Sequence, residues 1–499
     1  MSKLMSDRDP TGTGLEMPPD ATPASIVDAA AERRLVRKLD LRIMPWLILL
    51  YLLNFLDRAN IGNAKIANTD AANKGGLYTD LDLKDWQYNL SISIFFVGYI
   101  LFEIPSNLLL KRFTPSAWLG RIIAVWGLIS MLQFTVKSAS GLLAIRFFLG
   151  VAEAGFLPGV VLYMTFWYLP HERARRIAYI IASATLSGAF SGLLGFAISY
   201  LDNRAGLRGW QWIFLLEGIP TILAGIATFW VLPDFPDSIK STWLTEDEKR
   251  IACDRLDATA TRSSDSNFDP AAFRKTWTDW RTYFFMLMYI SLCVPFYSMS
   301  YFLPSLIKGL GWTSLKANYM TVPPYCSGWL ITVALATSSD KRRERPGHLA
   351  FALGLALVCF VILAATRDIK ADYAAFFFLT GALCGAAPLA LSWRTDHLSG
   401  SATHAAIATA AMVTFGNAGG IISGQVYPSS DGPTFRKGHI VNACFLAFGI
   451  ALTAVGAAIL PRAGSKDDRL WDEKGRRDDT LSVDHTHTDL AVDEGRGLK

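Results

Sequence analysis

Twelve stretches of this chain run apolar for roughly twenty residues each, the length a helix rising ~1.5 Å per residue needs to cross a ~30 Å hydrocarbon core. Lipid offers no partner to a bare backbone N–H or C=O, so a chain with many such stretches folds as a bundle of spanning helices. The reading is an all-α polytopic membrane protein of twelve transmembrane helices. The first six spans fall near 43–66, 87–110, 118–137, 141–168, 177–200 and 210–232. After a polar segment, six more fall near 281–306, 318–338, 348–366, 372–393, 403–427 and 439–460. Composition agrees. With 51% hydrophobic residues, 12% aromatic residues and a mean hydropathy of +0.28, the chain is too apolar for an ordinary soluble enzyme.

Several classes drop out. The net charge of +5 is spread along the chain, with no basic stripe for nucleic acid. Of the six cysteines only Cys253 lies in a polar stretch, and none has CxxC spacing. Neither a disulfide framework nor a metal knuckle is indicated, and no cofactor motif is present. The first ~30 residues hold acidic residues and prolines without an apolar core, which is not a signal peptide, so the first span must serve as the insertion signal.

The chain divides into a disordered cytoplasmic tail at 1–40, a six-helix bundle at 41–232, a cytoplasmic linker at 233–280, a second bundle at 281–460 and a cytoplasmic tail at 461–499. Within the linker, Thr245 and Glu248 have capping-box spacing and predict one short helix. Arg33, Arg34, Arg37, Lys38 and Arg42 precede the first span, and further basic clusters fall at 111–112, 173–176 and 341–345. By the positive-inside rule both termini are cytoplasmic. Lys65, Lys74, Lys84, Arg436 and Lys437 fall outside and weaken the asymmetry. The halves echo each other. Gly155 and Pro158 in the fourth span match Gly385 and Pro388 in the tenth, and Gly188-x-x-x-Gly192 in the fifth matches Gly416-x-x-x-Gly420 in the eleventh. Parallel repeats of this kind describe a rocker-type transporter.

The fourth span, GLLAIRFFLGVAEAGFLPGVVLYMTFWYLP, carries Arg146 and Glu153 inside its apolar run, about two turns apart on one face. An ionisable group at that depth costs several kcal/mol unless paired or facing a wet cavity, and marks a functional site by default. The first span adds Asp57 and Arg58, ~21 Å from the near surface, and Arg146 lies ~7 Å from the far one, at about the same level. Glu103 and Glu217 complete the intramembrane charges, all in the first half. Ion coupling is therefore expected in the first bundle, with aromatic and amide groups offered by the second. Facing one cavity, two arginines and two carboxylates could hold a substrate carboxylate in a planar fork and carry a proton.

RFFLGVAEAGFLPG in this span resembles the fourth span of the anion:cation symporters of the major facilitator superfamily, especially their fungal allantoate, nicotinate and pantothenate permease branch. NFLDRANIGNAKIAN at 54–68, FFVGYILFEIPSNLLLKRFTPSAWLGR at 95–121 and GLRGWQWIFLLEGIP at 206–220 carry the same resemblance. It implies two pseudo-symmetric six-helix bundles working by alternating access. It also implies Asp57 and Glu153 as proton sites, Arg58 as an anion ligand, and Arg146 as the residue that tunes Glu153 and shares in anion binding. A static ion-pair network holding two helices together is the competing reading of the same four residues.

Asn417 is a candidate substrate ligand or an interhelical hydrogen bond, and Tyr325, Trp329 and Trp393 could line the pocket or pack. Asp340, Arg342 and Arg343 resemble the superfamily's cytoplasmic gate, or form a plain positive-inside anchor. Glu103 and Glu217 fit neighbouring polar groups at helix breaks better than a transport role. Asn89-Leu-Ser matches the glycosylation pattern but abuts a span. Asp484, His485, His487 and Asp489 look metal-like but sit in a polar tail. SWRTDHLSGSATHAAIA departs from the family at Asp396, His397, His404 and Ala405, where an asparagine pair and a basic pair are usual. The expected activity is proton-coupled uptake of a small organic anion, such as a carboxylate vitamin or nitrogenous metabolite, by a monomer in the plasma membrane. Export, proton-independent facilitation and a non-transporting nutrient receptor are the alternatives.

Overall fold

A computed structural model describes residues 29–69, 76–110, 113–236, 243–257, 270–342, 344–397 and 402–460, and among these the regular structure is helical throughout. The first half has spans at Ala29–Ile66, Asp85–Leu110, Pro115–Leu132, Ala139–Glu153 continued by Phe156–Thr165, Pro170–Ile198 and Gly209–Val231. The second has Trp280–Gly309, Val322–Arg342, Pro346–Ala365, Ile369–Asp396, Ala402–Ser423 and Arg436–Ile459. Ten of these are long and apolar enough to cross a membrane. The eighth is among the more polar of the spans, and the eleventh includes the apolar stretch Ile407–Ser423.

The first helix starts at Ala29, well before its apolar stretch. AAAERRLVRKLDL is rich in strong helix formers, and Leu35, Leu39 and Ile43 form one buried stripe along it. The first linker helix, Glu246–Asp257, docks beside that extension. Lys38 binds Glu248 at 2.7 Å, and Arg255 reaches Glu172 at 2.7 Å and Glu32 at 3.4 Å. The predicted capping box is present: Thr245 N–H donates to Glu248 and Glu248 N–H to Thr245 Oγ1. Slight burial pushes the Glu248 carboxyl up, but the bonds from Lys38 and Thr245 outweigh it and hold it below the usual range. The linker has a second helix that was not expected, Pro270–Thr278, tied to the eleventh span by Thr276 Oγ1 and His404 Nδ1 at 2.9 Å.

Packing repeats from one half to the other. The first span lies on the fifth, the second on the fourth and the third on the sixth; likewise the seventh lies on the eleventh, the eighth on the tenth and the ninth on the twelfth. The halves meet where the first span touches the seventh, the second the eleventh and the fifth the eighth. The glycine pairs read from sequence serve these seams: Gly188 lies against Tyr325, and Gly420 against Phe96.

One tight approach between the halves lies at the far end, where the first span finishes. A Cβ on Gly62 would stand 2.5 Å from the Tyr301 carbonyl oxygen. Backbone cannot yield as a flexible side chain can, so a larger residue must part the halves there. Spin labels on the exposed far-end residues Lys84 and Lys437 are expected to move apart in Gly62→Val. An unchanged distance distribution would show that this contact does not hold the far end shut.

Candidate functional site

The site begins at a break in the fourth span. Pro158 has no N–H to return to the Ala154 carbonyl, and Gly155 adopts φ +84°, a left-handed conformation that glycine accepts without strain. The helix stops at Glu153 and resumes at Phe156. The matching Gly385-x-x-Pro388 leaves the tenth span continuous, so the sequence echo is not a structural one here. Glu153 thus ends a helical segment. A helix C-terminus disfavours an anion, and the carboxylate is offset from the first span.

Arg58 Nε donates to Glu153 Oε1 in a close ion pair, and Asn54 Nδ2 donates to the same oxygen at 2.7 Å. Glu153 is 1% exposed and its Oε2 has no hydrogen-bond partner. The Arg58 guanidinium also stacks over Phe55, Phe95 and Tyr99 at 5.0–5.3 Å from their centroids. Desolvated cation–π contacts contribute about 2 kcal/mol each.

Asp57 points the other way. Its carboxylate accepts from Trp126 Nε1, Ser130 Oγ and Thr221 Oγ1, each at 3.0 Å, on the third and sixth spans. Neighbouring residues on a helix project ~100° apart, and here they divide the first span into a cavity face and a bundle-interior face. Arg146 is 1% exposed and lies over the Phe214 ring at 5.9 Å, with no hydrogen-bond partner for Nε or Nη2. The direct partner of Glu153 is therefore Arg58 and not Arg146.

A cavity lies between the halves, walled by the rings of Tyr51, Phe55, Tyr99, Tyr289, Phe296 and Tyr297. Among the described residues Arg58 is the only charged side chain lining it, with Asn54 and Asn417 as its amides. The Tyr297 hydroxyl donates to Asn417 Oδ1 at 2.6 Å. A small adjoining void shares Phe55 and Phe296 with it and is lined by Tyr325. Trp393 is elsewhere. It is buried at the near end against Phe284 and Phe285, while Trp329 is 39% exposed on the outer surface.

At the gate motif, Asp340 pairs with Arg345 at 2.5 Å, and Arg345 also holds Asp396 at 3.2 Å. Arg342 is exposed, and Arg343 lies outside the described residues. The departure from the family pattern thus takes part in the near-end network through Asp396. Glu103 accepts from Thr414 Oγ1 at 2.9 Å, bridging the two halves. Asn89 is 3% exposed, so its glycosylation pattern is not presented at the surface. The tail residues Asp484, His485, His487 and Asp489 lie outside the described residues.

Sequence reasoning named Asp57, Arg58, Arg146, Glu153, Asn417 and Tyr325 but passed over Tyr51, Asn54, Tyr99 and Tyr297. A signal existed: Tyr51, Asn54 and Arg58 are spaced i, i+3, i+7 and share one helical face. For Trp126, Ser130 and Thr221 no such signal existed, because they meet Asp57 only through packing.

Residues 47–424 match the family model described as Major Facilitator Superfamily. The chain is 36% identical over 454 residues to "MFS-type transporter efuF" of Hormonema carpetanum, covering 90% of each. It is 35% identical over 427 residues to "MFS transporter prlL" of Fungal sp. (strain NRRL 50135), covering 85% of each. Among solved structures, it resembles a bacterial homolog of the human lysosomal transporter Spinster in an inward-facing, occupied conformation, with TM-score 0.65 and 16% identity over 85% of this chain and 98% of that one.

Proposed function

Because this chain belongs to the Major Facilitator Superfamily and is a multi-pass membrane transporter, we propose that it imports a small organic anion together with protons, as an anion:cation symporter. The substrate class is a carboxylate vitamin or nitrogenous metabolite of the nicotinate, pantothenate or allantoate kind. The observation that carries this reading is Arg58, the lone charged group among the described residues lining an aromatic-walled cavity, already paired with a titratable carboxylate behind it. A substrate carboxylate can replace Glu153 as the counter-ion of Arg58, and Glu153 then takes a proton. Anion loading and proton loading become one exchange at one guanidinium.

Asp57 serves in this reading as a further proton site and Arg146 as a fixed cation tuning both carboxylates. Asn417 and Tyr325 are ligands from the second half; Trp393 stands back from the pocket and takes a packing role. The near-end network of Asp340, Arg345 and Asp396 belongs to the gate. The near end is cytoplasmic, both termini lie there, and the protein works as a monomer in the plasma membrane without a cofactor. With that orientation, tight far-end contacts support an inward-facing state of an alternating-access cycle.

The test is uptake of a panel of labelled carboxylates into proteoliposomes, at acid-outside and at equal pH. Accumulation of one compound only under the gradient supports the reading. Equal uptake in both conditions would make the protein a facilitator, and no uptake of any compound would favour a receptor. For whichever substrate is found, Tyr297→Phe keeps the ring but frees Asn417 Oδ1. A net hydrogen bond is worth about 1 kcal/mol, so the apparent KM should change by roughly fivefold with kcat nearly constant. An unaltered saturation curve would remove Asn417 from the ligand set.

A further inference from the structure

Glu217 does not fit the bland role its sequence suggested. It is 3% exposed, and neither carboxyl oxygen has a hydrogen-bond partner. Asn60 faces it from the first span, 0% exposed, with both amide atoms also unpaired. One turn beyond Glu217, Thr221 donates to Asp57, and Asp57 is one turn before Asn60. Asp57, Asn60, Glu217 and Thr221 thus form a closed polar chamber between the first and sixth spans. None of them lines the cavity that holds Arg58.

The charged groups around this chamber are few. The first span contributes Asp57. The fourth contributes Arg146, lying over Phe214, one turn before Glu217. The third offers the neutral donors Trp126 and Ser130, both used by Asp57. The charges of the fifth span lie in its first turns, at 172–176 and at the opposite end. Hence, among the described residues, no cation is paired with Glu217.

An ionised carboxylate buried with no cation beside it, faced only by a neutral amide, costs several kcal/mol. A carboxylic acid needs only an acceptor for its O–H, and Asn60 Oδ1 is free to be one. We propose that Glu217 is a third proton-carrying side chain, set behind Asp57 in the interior of the first half and outside the substrate cavity; the proposal rests on the transport reading above. Glu217 takes up one proton and later releases it, and the negative charge that returns on release lies beside Asp57, so nothing else is consumed. Asp57 and Arg58 are adjacent in the backbone but face opposite ways. The charge on the chamber side is therefore felt at the cavity side without the proton competing with substrate for space.

The test uses the full chain in lipid vesicles and needs no substrate. Infrared difference spectra between acid and alkaline buffer report protonated buried carboxyls directly. Glu217→Gln should lose one carboxylic C=O band that Glu153→Gln retains. Asn60→Ala, which leaves Glu217 in place, should shift that band. A Glu217→Gln spectrum identical to the parent overturns the proposal. So does an unshifted band in Asn60→Ala, which decides the matter if the glutamine variant does not fold. Since the spectra are independent of uptake, a failed transport reading and a failed Glu217 assignment give different results.

Discussion

Glu153→Gln is expected to abolish accumulation of substrate against its gradient while sparing exchange of labelled for unlabelled substrate. Glutamine keeps the shape of the side chain and an oxygen that can accept from Asn54 and Arg58, so the packing at the helix break survives. What it cannot do is gain or lose a proton. Each pH unit across the membrane is worth 1.36 kcal/mol per proton, so one proton per monoanion supports about tenfold accumulation per unit. The co-transported pair is neutral, which leaves the pH gradient as its sole drive. In the variant, acid outside should give no more uptake than equal pH, and the concentration ratio should settle near one. Gradient-driven accumulation equal to that of the parent protein would remove Glu153 from the coupling machinery and return its pairing with Arg58 to a structural role.

How much of this could be read beforehand follows from where each constraint acts. The bilayer acts on every span separately, because each must satisfy its own backbone, so twelve apolar blocks were enough for the architecture. The packing pairs followed less directly, through glycines such as Gly188 and Gly420, whose neighbours are seen only in the fold. The apolar pattern placed the start of the first helix too late, since Leu35 and Leu39 are buried in the core by packing that an unbroken apolar run does not register. The two Gly-x-x-Pro motifs were equivalent as letters. Only one breaks its helix, at Gly155 in the left-handed conformation, and the letters do not distinguish the two. At the site, residue types indicated charge and depth but not pairing. Arg58, rather than Arg146, reaches Glu153; Arg345, rather than Arg342, meets Asp340. Partner choice between long side chains depends on helix rotation and separation, which a single sequence does not carry.

The second large effect is expected at Arg58, and it separates fold from transport. Arg58→Ala removes the counter-ion of a carboxylate that is 1% exposed and ends a helical segment. Stranding one member of a buried ion pair costs about 3–5 kcal/mol, and the lost stacking over Phe55, Phe95 and Tyr99 adds to it. Thermal unfolding of the purified protein should shift down markedly, and uptake should be absent. Combining Arg58→Ala with Glu153→Gln takes away the stranded charge, so most of the thermal stability should return. Uptake should not, because the cavity then presents no cation to a carboxylate. Arg58→Lys keeps the charge but not the planar fork or the face that three rings cover, and should fall between the two in both measurements. Recovery of uptake in the double variant would mean that Arg58 exists to neutralise Glu153 and never touches the substrate. Retained stability in Arg58→Ala would mean that water or another side chain already satisfies Glu153, and the exchange of counter-ions at Arg58 would lose its basis.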